Sequence, residues 1–144
     1  MDDPTCLALC AGIGGLELGV HAAIGCRVVG YVERDAYAAA VLLARMEDSS
    51  LAPAPVWCGN LEDMDTSSFL GVDIITAGFP CQPFSVAGKR RGIEDDRWIW
   101  PDIARIIRDV GPRLVFLENV PGLVQHGMPH VLGSLADLGF DAEW

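Results

Sequence analysis

Thr5-Cys6-Leu7-Ala8-Leu9-Cys10-Ala11-Gly12-Ile13-Gly14-Gly15-Leu16 opens the chain with an apolar run of strand length that breaks into three glycines, and Leu16 to Ala23 follows with helical spacing. The pattern then repeats, with Arg27 to Val32 reading as a second strand and Ala36 to Met46 as a second helix. Strands alternating with helical segments of this length build a parallel sheet covered by helices on both faces. A short strand near Val56-Trp57-Cys58, a strand over Val72 to Ala77, a helix from about Pro101 to Val110 and a strand over Leu114 to Leu117 continue the alternation. Pro101 suits a first helical turn, and Gly111-Pro112 suits a helix stop. A last helix is predicted over Val131 to Leu138, with Phe140 to Trp144 beginning another strand. The fold class is α/β, a doubly wound and mostly parallel sheet.

The 144 residues suit one domain, large enough to bury about 68 to 70% of the unfolded chain's surface. Hydrophobic residues make up 51%, charged residues 21%, and mean hydropathy is +0.30, which together describe a globular and somewhat apolar chain. No apolar stretch approaches the roughly 20 residues of a membrane span, and Met1-Asp2-Asp3 lacks the basic start of a secretory signal. A cytoplasmic protein with no membrane association is expected. The five cysteines, at 6, 10, 26, 58 and 81, contain no Cys-x-x-Cys pair, and His21, His126 and His130 are scattered, so reduced thiols and no metal site are expected.

Net charge is −10, which argues against bulk electrostatic attraction to nucleic acid. The distribution is uneven, because seven of the ten basic residues (Lys89, Arg90, Arg91, Arg97, Arg105, Arg108 and Arg113) fall between 89 and 113. This stretch is the one candidate phosphate-facing surface. For Arg105 and Arg108 a solvated helix face is the equal alternative.

Pro80-Cys81-Gln82 follows the strand over Val72 to Ala77 and opens a segment, Gly78 to Asp96, several times longer than an ordinary strand-to-helix connection. A thiol at a strand's carboxyl end, beside a helix N-terminus or a basic group, can have its pKa lowered enough to act as a nucleophile. Pro80 and Pro83 restrict the backbone on either side of Cys81. Glu118-Asn119-Val120 ends the next strand, where a second catalytic group would stand. Gly12, Gly14 and Gly15 form a cradle between strand and helix, where missing side chains admit a ligand to free helix N–H groups. Glu17 occupies the place of the third glycine of the dinucleotide fingerprint. Glu33, at the end of the second strand and 21 residues after Gly12, can accept hydrogen bonds from both ribose hydroxyls of a phosphate-free adenosine. With the glycines it favours S-adenosylmethionine.

Ala11-Gly12-Ile13-Gly14-Gly15, Glu33, Gly78-Phe79-Pro80-Cys81-Gln82-Pro83-Phe84-Ser85 and Glu118-Asn119-Val120 occur in an order and spacing that resemble the DNA cytosine-5 methyltransferases. The resemblance covers nearly all of the chain but only roughly the amino-terminal half of that family's catalytic domain. It implies a Rossmann-like methyltransferase sheet of order 3-2-1-4-5-7-6, cut as strand 6 begins. Residues 1–144 would then be a partial cofactor-binding and catalytic domain, without the later Gln-Arg-Arg motif or the target-recognition domain. The partners implied are double-stranded DNA and, for a split enzyme, a second polypeptide supplying the carboxyl-terminal half. A prokaryotic or phage origin in restriction-modification is expected.

By the same resemblance, S-adenosylmethionine would contact Cys10, Gly12, Ile13, Gly14, Gly15, Leu16, Glu33, Arg34, Asn60, Leu61 and Pro80. The family commonly has Asp where Asn60 stands and Phe where Cys10 stands. Cys81 would attack C6 of a flipped cytosine, Glu118 would serve N3, and Asn119 would orient the loop or form a local turn. Gln82, Ser85, Lys89, Arg90, Arg91 and Arg97 would meet DNA. Two other readings remain open from the residues: a catalytically inactive cofactor- or partner-binding module on the same fold, and a Cys-dependent hydrolase, which the glycine cradle and Glu33 oppose.

Overall fold

The computed structural model describes residues 3–80 and 98–144, with the side chain of His126 excluded. Five parallel strands form one sheet in the order β3-β2-β1-β4-β5. They are β1 (Thr5–Leu9), β2 (Arg27–Val32), β3 (Val56–Trp57), β4 (Ile74–Gly78) and β5 (Leu114–Glu118). The helices are α1 (Gly15–Ile24), α2 (Ala36–Glu47), α3 (Trp100–Val110), α4 (Gly122–His126) and α5 (Met128–Asp137). No helix among the described residues is long and apolar enough to cross a membrane.

Side-chain alternation along the central strands decides which helix covers which face. In β1, Cys6 and Ala8 join a core with Val20 of α1 and Leu42 of α2, whereas Leu7 and Leu9 join a second core with Ile103, Ile106 and Ile107 of α3 and Leu135 of α5. In β4, Ile74 faces the first of these cores and Ile75 and Ala77 the second. Both central strands are therefore buried on both sides, as a covered parallel sheet requires. At their amino ends, Thr5 N and Oγ1 each donate to Asp73 Oδ2 at 2.9 Å, and Asp73 N donates back to Thr5 Oγ1 at 3.1 Å. These bonds hold the Asp73 carboxyl below the usual range.

The α/β reading and the first five positions of the strand order hold. Three elements differ. Phe140 to Trp144 forms no strand; instead Phe140 N donates to Leu135 O at 2.9 Å and its ring packs on the core under α5. Only Phe140 folds back on α5, and the exposed Asp141 to Trp144 carry two acids in four residues with no strand beside them among the described residues. The helix read over Val131 to Leu138 begins at Met128, with Pro129 in its first turn. The five-residue α4 is too short to show an apolar period, which is why it escaped the sequence reading.

The outer strand β5 contrasts with β4. Ile75 is fully buried, whereas Leu114 is 49% exposed. Ile75→Ala should therefore cost about 2–5 kcal/mol, and Leu114→Ala less than about 1 kcal/mol. Denaturant titration of both variants checks this, and equal losses would contradict the described burial.

Candidate functional site

β1 ends into a turn that runs through the left-handed region: Cys10 has φ 50°, Gly12 φ 56° and Gly14 φ 88°. Glycine meets that requirement without cost, and a Cys there stores strain. Glu33 fixes the turn from the adjacent strand end. Its Oε2 accepts from Gly12 N at 2.7 Å and its Oε1 from Asp35 N at 2.8 Å. Each carboxylate oxygen keeps capacity for a further donor. Asp35 in turn caps α2 by accepting from Ala38 N at 2.9 Å.

This turn borders a cavity of about 820 Å³ at the carboxyl ends of the strands, lined by Cys10, Gly12, Glu33, Arg34, Asn60, Leu61, Pro80, Glu118 and Asn119 among others. One wall is the Asn60-Leu61 turn, which enters a 3₁₀ segment over Leu61–Asp63. Leu61 is buried, and its carbonyl accepts from Arg105 Nη2 of α3 at 2.6 Å. Arg105, half-buried, thus ties α3 to the turn. Sequence periodicity places Arg105 on a helix but cannot show that its guanidinium reaches a carbonyl 44 residues away.

The opposite wall is made by the ends of β4 and β5, where Gly78 and Glu118 are register partners. A Cβ at Gly78 would lie 3.4 Å from Glu118 Oε2, so the carboxyl group stands over this glycine. Asn119 Nδ2 donates to Phe79 O at 3.0 Å, and its Oδ1 accepts from Val120 N at 2.9 Å. Asn119 thus bonds the backbone next to it and ties the end of β5 to the Phe79 carbonyl, while the loop it was expected to orient lies outside the described residues. Phe79 packs edge-on against Trp98 at 6.2 Å and tilted against Trp100 at 5.8 Å. Phe79, Trp98 and Asp102 also line the cavity. The sequence reading passed over all three. Asp102 carried a signal, a carboxylate in the first turn of a helix that starts at the strand-end rim.

Of the residues named from sequence, Cys10, Gly12, Glu33, Arg34, Asn60, Leu61, Pro80, Glu118 and Asn119 meet around this one cavity. Ile13, Gly14, Gly15 and Leu16 are outside its lining: Gly14 backs onto Leu42 and Leu51, and Leu16 packs with the α1–α2 core. Cys81, Gln82, Ser85, Lys89, Arg90, Arg91 and Arg97 lie outside the described residues. Among the described cysteines, burial above all pushes the thiols of Cys6 and Cys10 up to about 12 and raises Cys26, so these three are held as unreactive thiols. Cys58 is exposed. Among the described residues, no three His, Cys, Asp or Glu side chains gather as metal ligands.

The donor set fits an adenosine that carries no phosphate. An anchored carboxylate faces the cavity, Leu61 offers an apolar wall, and a Cβ at Gly12 would meet no atom within 4 Å, leaving room beside the cradle. Sheet order, cradle and cavity define the class, a Rossmann-like doubly wound domain with a nucleotide-type site at the carboxyl ends of its strands. The chain belongs to the C-5 cytosine-specific DNA methylase family, whose model matches residues 5–144. It is 33% identical to the Type II methyltransferase M.NgoMIV of Neisseria gonorrhoeae over 97% of this chain and 44% of that protein. It is 38% identical to the Type II methyltransferase M.PspPI of Psychrobacter sp. (strain TA137) over 92% of this chain and 32% of that protein. The crystal structure of a Spodoptera frugiperda DNMT2 mutant shares the fold with a TM-score of 0.69 at 20% identity, covering 94% of this chain and 41% of that one. The chain therefore spans less than half the length of these relatives.

The two left-handed glycines differ in their surroundings. A Cβ at Gly12 meets nothing, whereas one at Gly14 falls 2.9 Å from Leu51 Cδ1 and 3.3 Å from Leu42 Cδ2. Gly12→Ala should cost about 1–2 kcal/mol from backbone strain alone. Gly14→Ala should add about 1 kcal/mol or more of overpacking. Equal losses in thermal melts would show that the Leu51 side chain yields freely.

Proposed function

We propose that this chain is the cofactor-binding and catalytic-motif portion of a DNA cytosine-5 methyltransferase, acting on cytosine flipped out of double-stranded DNA through a covalent bond to Cys81. The observation that carries the reading is that one cavity is lined by both Glu33 and Glu118. A ribose-binding carboxylate and a base-binding carboxyl group are thereby offered to the same space.

S-adenosylmethionine supplies an electrophilic methyl group on a sulfonium. Glu33 accepts its ribose hydroxyls, Leu61 provides an apolar wall for adenine and Asn60 a polar edge, while the faces of Phe79 and Trp98 favour the positive sulfonium. Extrusion of the cytosine costs a few kcal/mol, offset by contacts from Gln82, Ser85, Lys89, Arg90, Arg91 and Arg97. Cys81 Sγ, as thiolate, bonds to C6, and the displaced electron pair moves toward N3, where Glu118 supplies a proton. C5, now nucleophilic, would take the methyl group as its bond to the sulfonium sulfur breaks, leaving S-adenosylhomocysteine. Loss of the C5 proton to solvent and breaking of the C6–S bond restore the aromatic ring, Cys81 leaves as thiolate, and N3 returns its proton to Glu118. Asn119 holds the Phe79 carbonyl, two residues before Cys81, and so positions the approach of the nucleophile. Target recognition and the remaining cofactor contacts belong to a carboxyl-terminal half, in the same or a second polypeptide, working in the cytoplasm of a bacterium or phage-infected cell.

Two measurements test this. Glu33→Ala should weaken S-adenosylhomocysteine about 10-fold or more by calorimetry, as expected for loss of hydrogen bonds to a charged group. Unchanged affinity would remove Glu33 from the site. With the carboxyl-terminal half of a relative supplied, duplex DNA bearing 5-fluorocytosine at the target should become joined to Cys81, because fluorine cannot leave C5 as a cation. Cys81→Ser should abolish both adduct and methylation. An adduct located by mass spectrometry on Cys58, or methylation surviving Cys81→Ser, would overturn the mechanism.

A further inference from the structure

Glu17 stands in the first turn of α1, directly after the glycine cradle. It turns inward and is only 2% exposed. Oε1 accepts from Thr76 Oγ1 of β4 at 2.6 Å, and Thr76 is itself fully buried. Thr76 Oγ1 also lies 3.9 Å from Cys6 Sγ of β1. The other oxygen of Glu17, Oε2, is buried with no partner among the described residues. A dinucleotide fold places a glycine at this position so that helix and strand can pack closely. Here a carboxyl group spans the same gap and is bonded across it.

We propose that Glu17 is a positioning residue that pins the cradle helix α1 to β4, the strand that carries Phe79 and Pro80 to the cavity, and that it does so as a neutral carboxyl group. Through this bond, movement of the cradle and of the strand end that leads to Cys81 is coupled. An ionised carboxylate with one oxygen unpaired in an apolar interior is strongly disfavoured. Burial raises the pKa of Glu17, with the Thr76 hydrogen bond and one from its own backbone N–H opposing the shift. The titratable groups facing it offer no fixed cation: Cys6 of β1 and Tyr31 of β2 are pushed up to about 12, and Cys26, before β2, is also raised. His21, one turn along α1, is engaged through Nδ1 with Cys26 O at 2.7 Å. A second cavity of about 460 Å³ is lined by Glu17, His21, Tyr31 and Leu51.

The sign of the pH effect follows. A carboxyl whose folded pKa is raised above its ordinary 4.5 binds more protons in the native state, so its contribution to stability is complete below 4.5 and is lost as pH rises toward the folded value. Gln in its place keeps the acceptor for Thr76 and cannot ionise.

The link to the cofactor rests on the function proposed above, and the test separates the two. Melting temperatures of wild type and Glu17→Gln are compared from pH 5 to pH 9, together with S-adenosylhomocysteine affinity of wild type, Glu17→Gln and Thr76→Val. Wild type should lose stability relative to Glu17→Gln as pH rises. Glu17→Gln should bind within about twofold of wild type at the acid end, and Thr76→Val about three- to tenfold more weakly, the size of one net hydrogen bond. Parallel melting profiles, an unfolded Glu17→Gln protein, or Thr76→Val binding like wild type would each overturn the proposal. If none of the three binds the cofactor product even with the carboxyl-terminal half of a relative supplied, the function reading fails, while diverging melting profiles still establish the neutral pin.

Discussion

The reversal of strand order between β1 and β4 is the constraint on which the rest depends. The chain leaves β1 toward β2 and β3, then crosses back to β4 and β5. At such a switch point a crevice opens beside the carboxyl ends of the two central strands. All five strands are parallel, so every strand-to-helix turn opens on this rim. That is why Gly12, Glu33, Leu61, Pro80 and Glu118, distant in sequence, line one cavity. Nothing about the individual side chains brings them together; the winding does.

Once gathered, these residues are held by bonds running along the rim. Glu33 holds the cradle to the end of β2, Arg105 holds the Leu61 turn to α3, and Asn119 holds the end of β4 to the end of β5. In each case a side chain satisfies a backbone group of another turn, which a loop at a sheet's end would otherwise leave to water. The pocket walls are thus braced by residues that also face, or stand next to, the ligand space. Preorganisation of this kind lowers the ordering cost of binding and fixes donors where charge develops.

Much of this was legible in the sequence because it is written in local terms. The strand periods, the glycines after β1 and the carboxylate ending β2 each announce themselves within a few residues, and the parallel topology follows from their alternation. Glu118 and Asn119 were also readable, since they end a strand. What the sequence withheld depends on contacts between distant segments. Arg105 looks like any helix-face cation until its bond to Leu61 O is seen. Glu17 looks like a first-turn acid favoured by the helix dipole, whereas it is buried against Thr76, 59 residues away. Phe140 to Trp144 has a strand's composition, but strand formation is decided by the neighbour a segment finds, and Phe140 finds the end of α5.

The same distinction governs how an acidic chain could meet DNA. The cations between 89 and 113 do not form one equivalent set. Arg105 spends its guanidinium on Leu61 O and on Asp109 at 3.7 Å, and Arg108 pairs with Asp109 at 3.1 Å. Asp109 is shared by both side chains and offsets part of their charge, so these two guanidiniums are held on their own helix and turn more than on a distant phosphate. On the proposed function, phosphate contacts in this stretch fall to Lys89, Arg90, Arg91 and Arg97, beside the motif that contains Cys81. Charge that would approach DNA then stands near Cys81 in the sequence, and the acidic remainder of the chain would repel the duplex. Such an arrangement favours one orientation of approach over affinity in general, since opposite-sign complementarity at one patch and like-sign repulsion elsewhere together fix how two bodies dock.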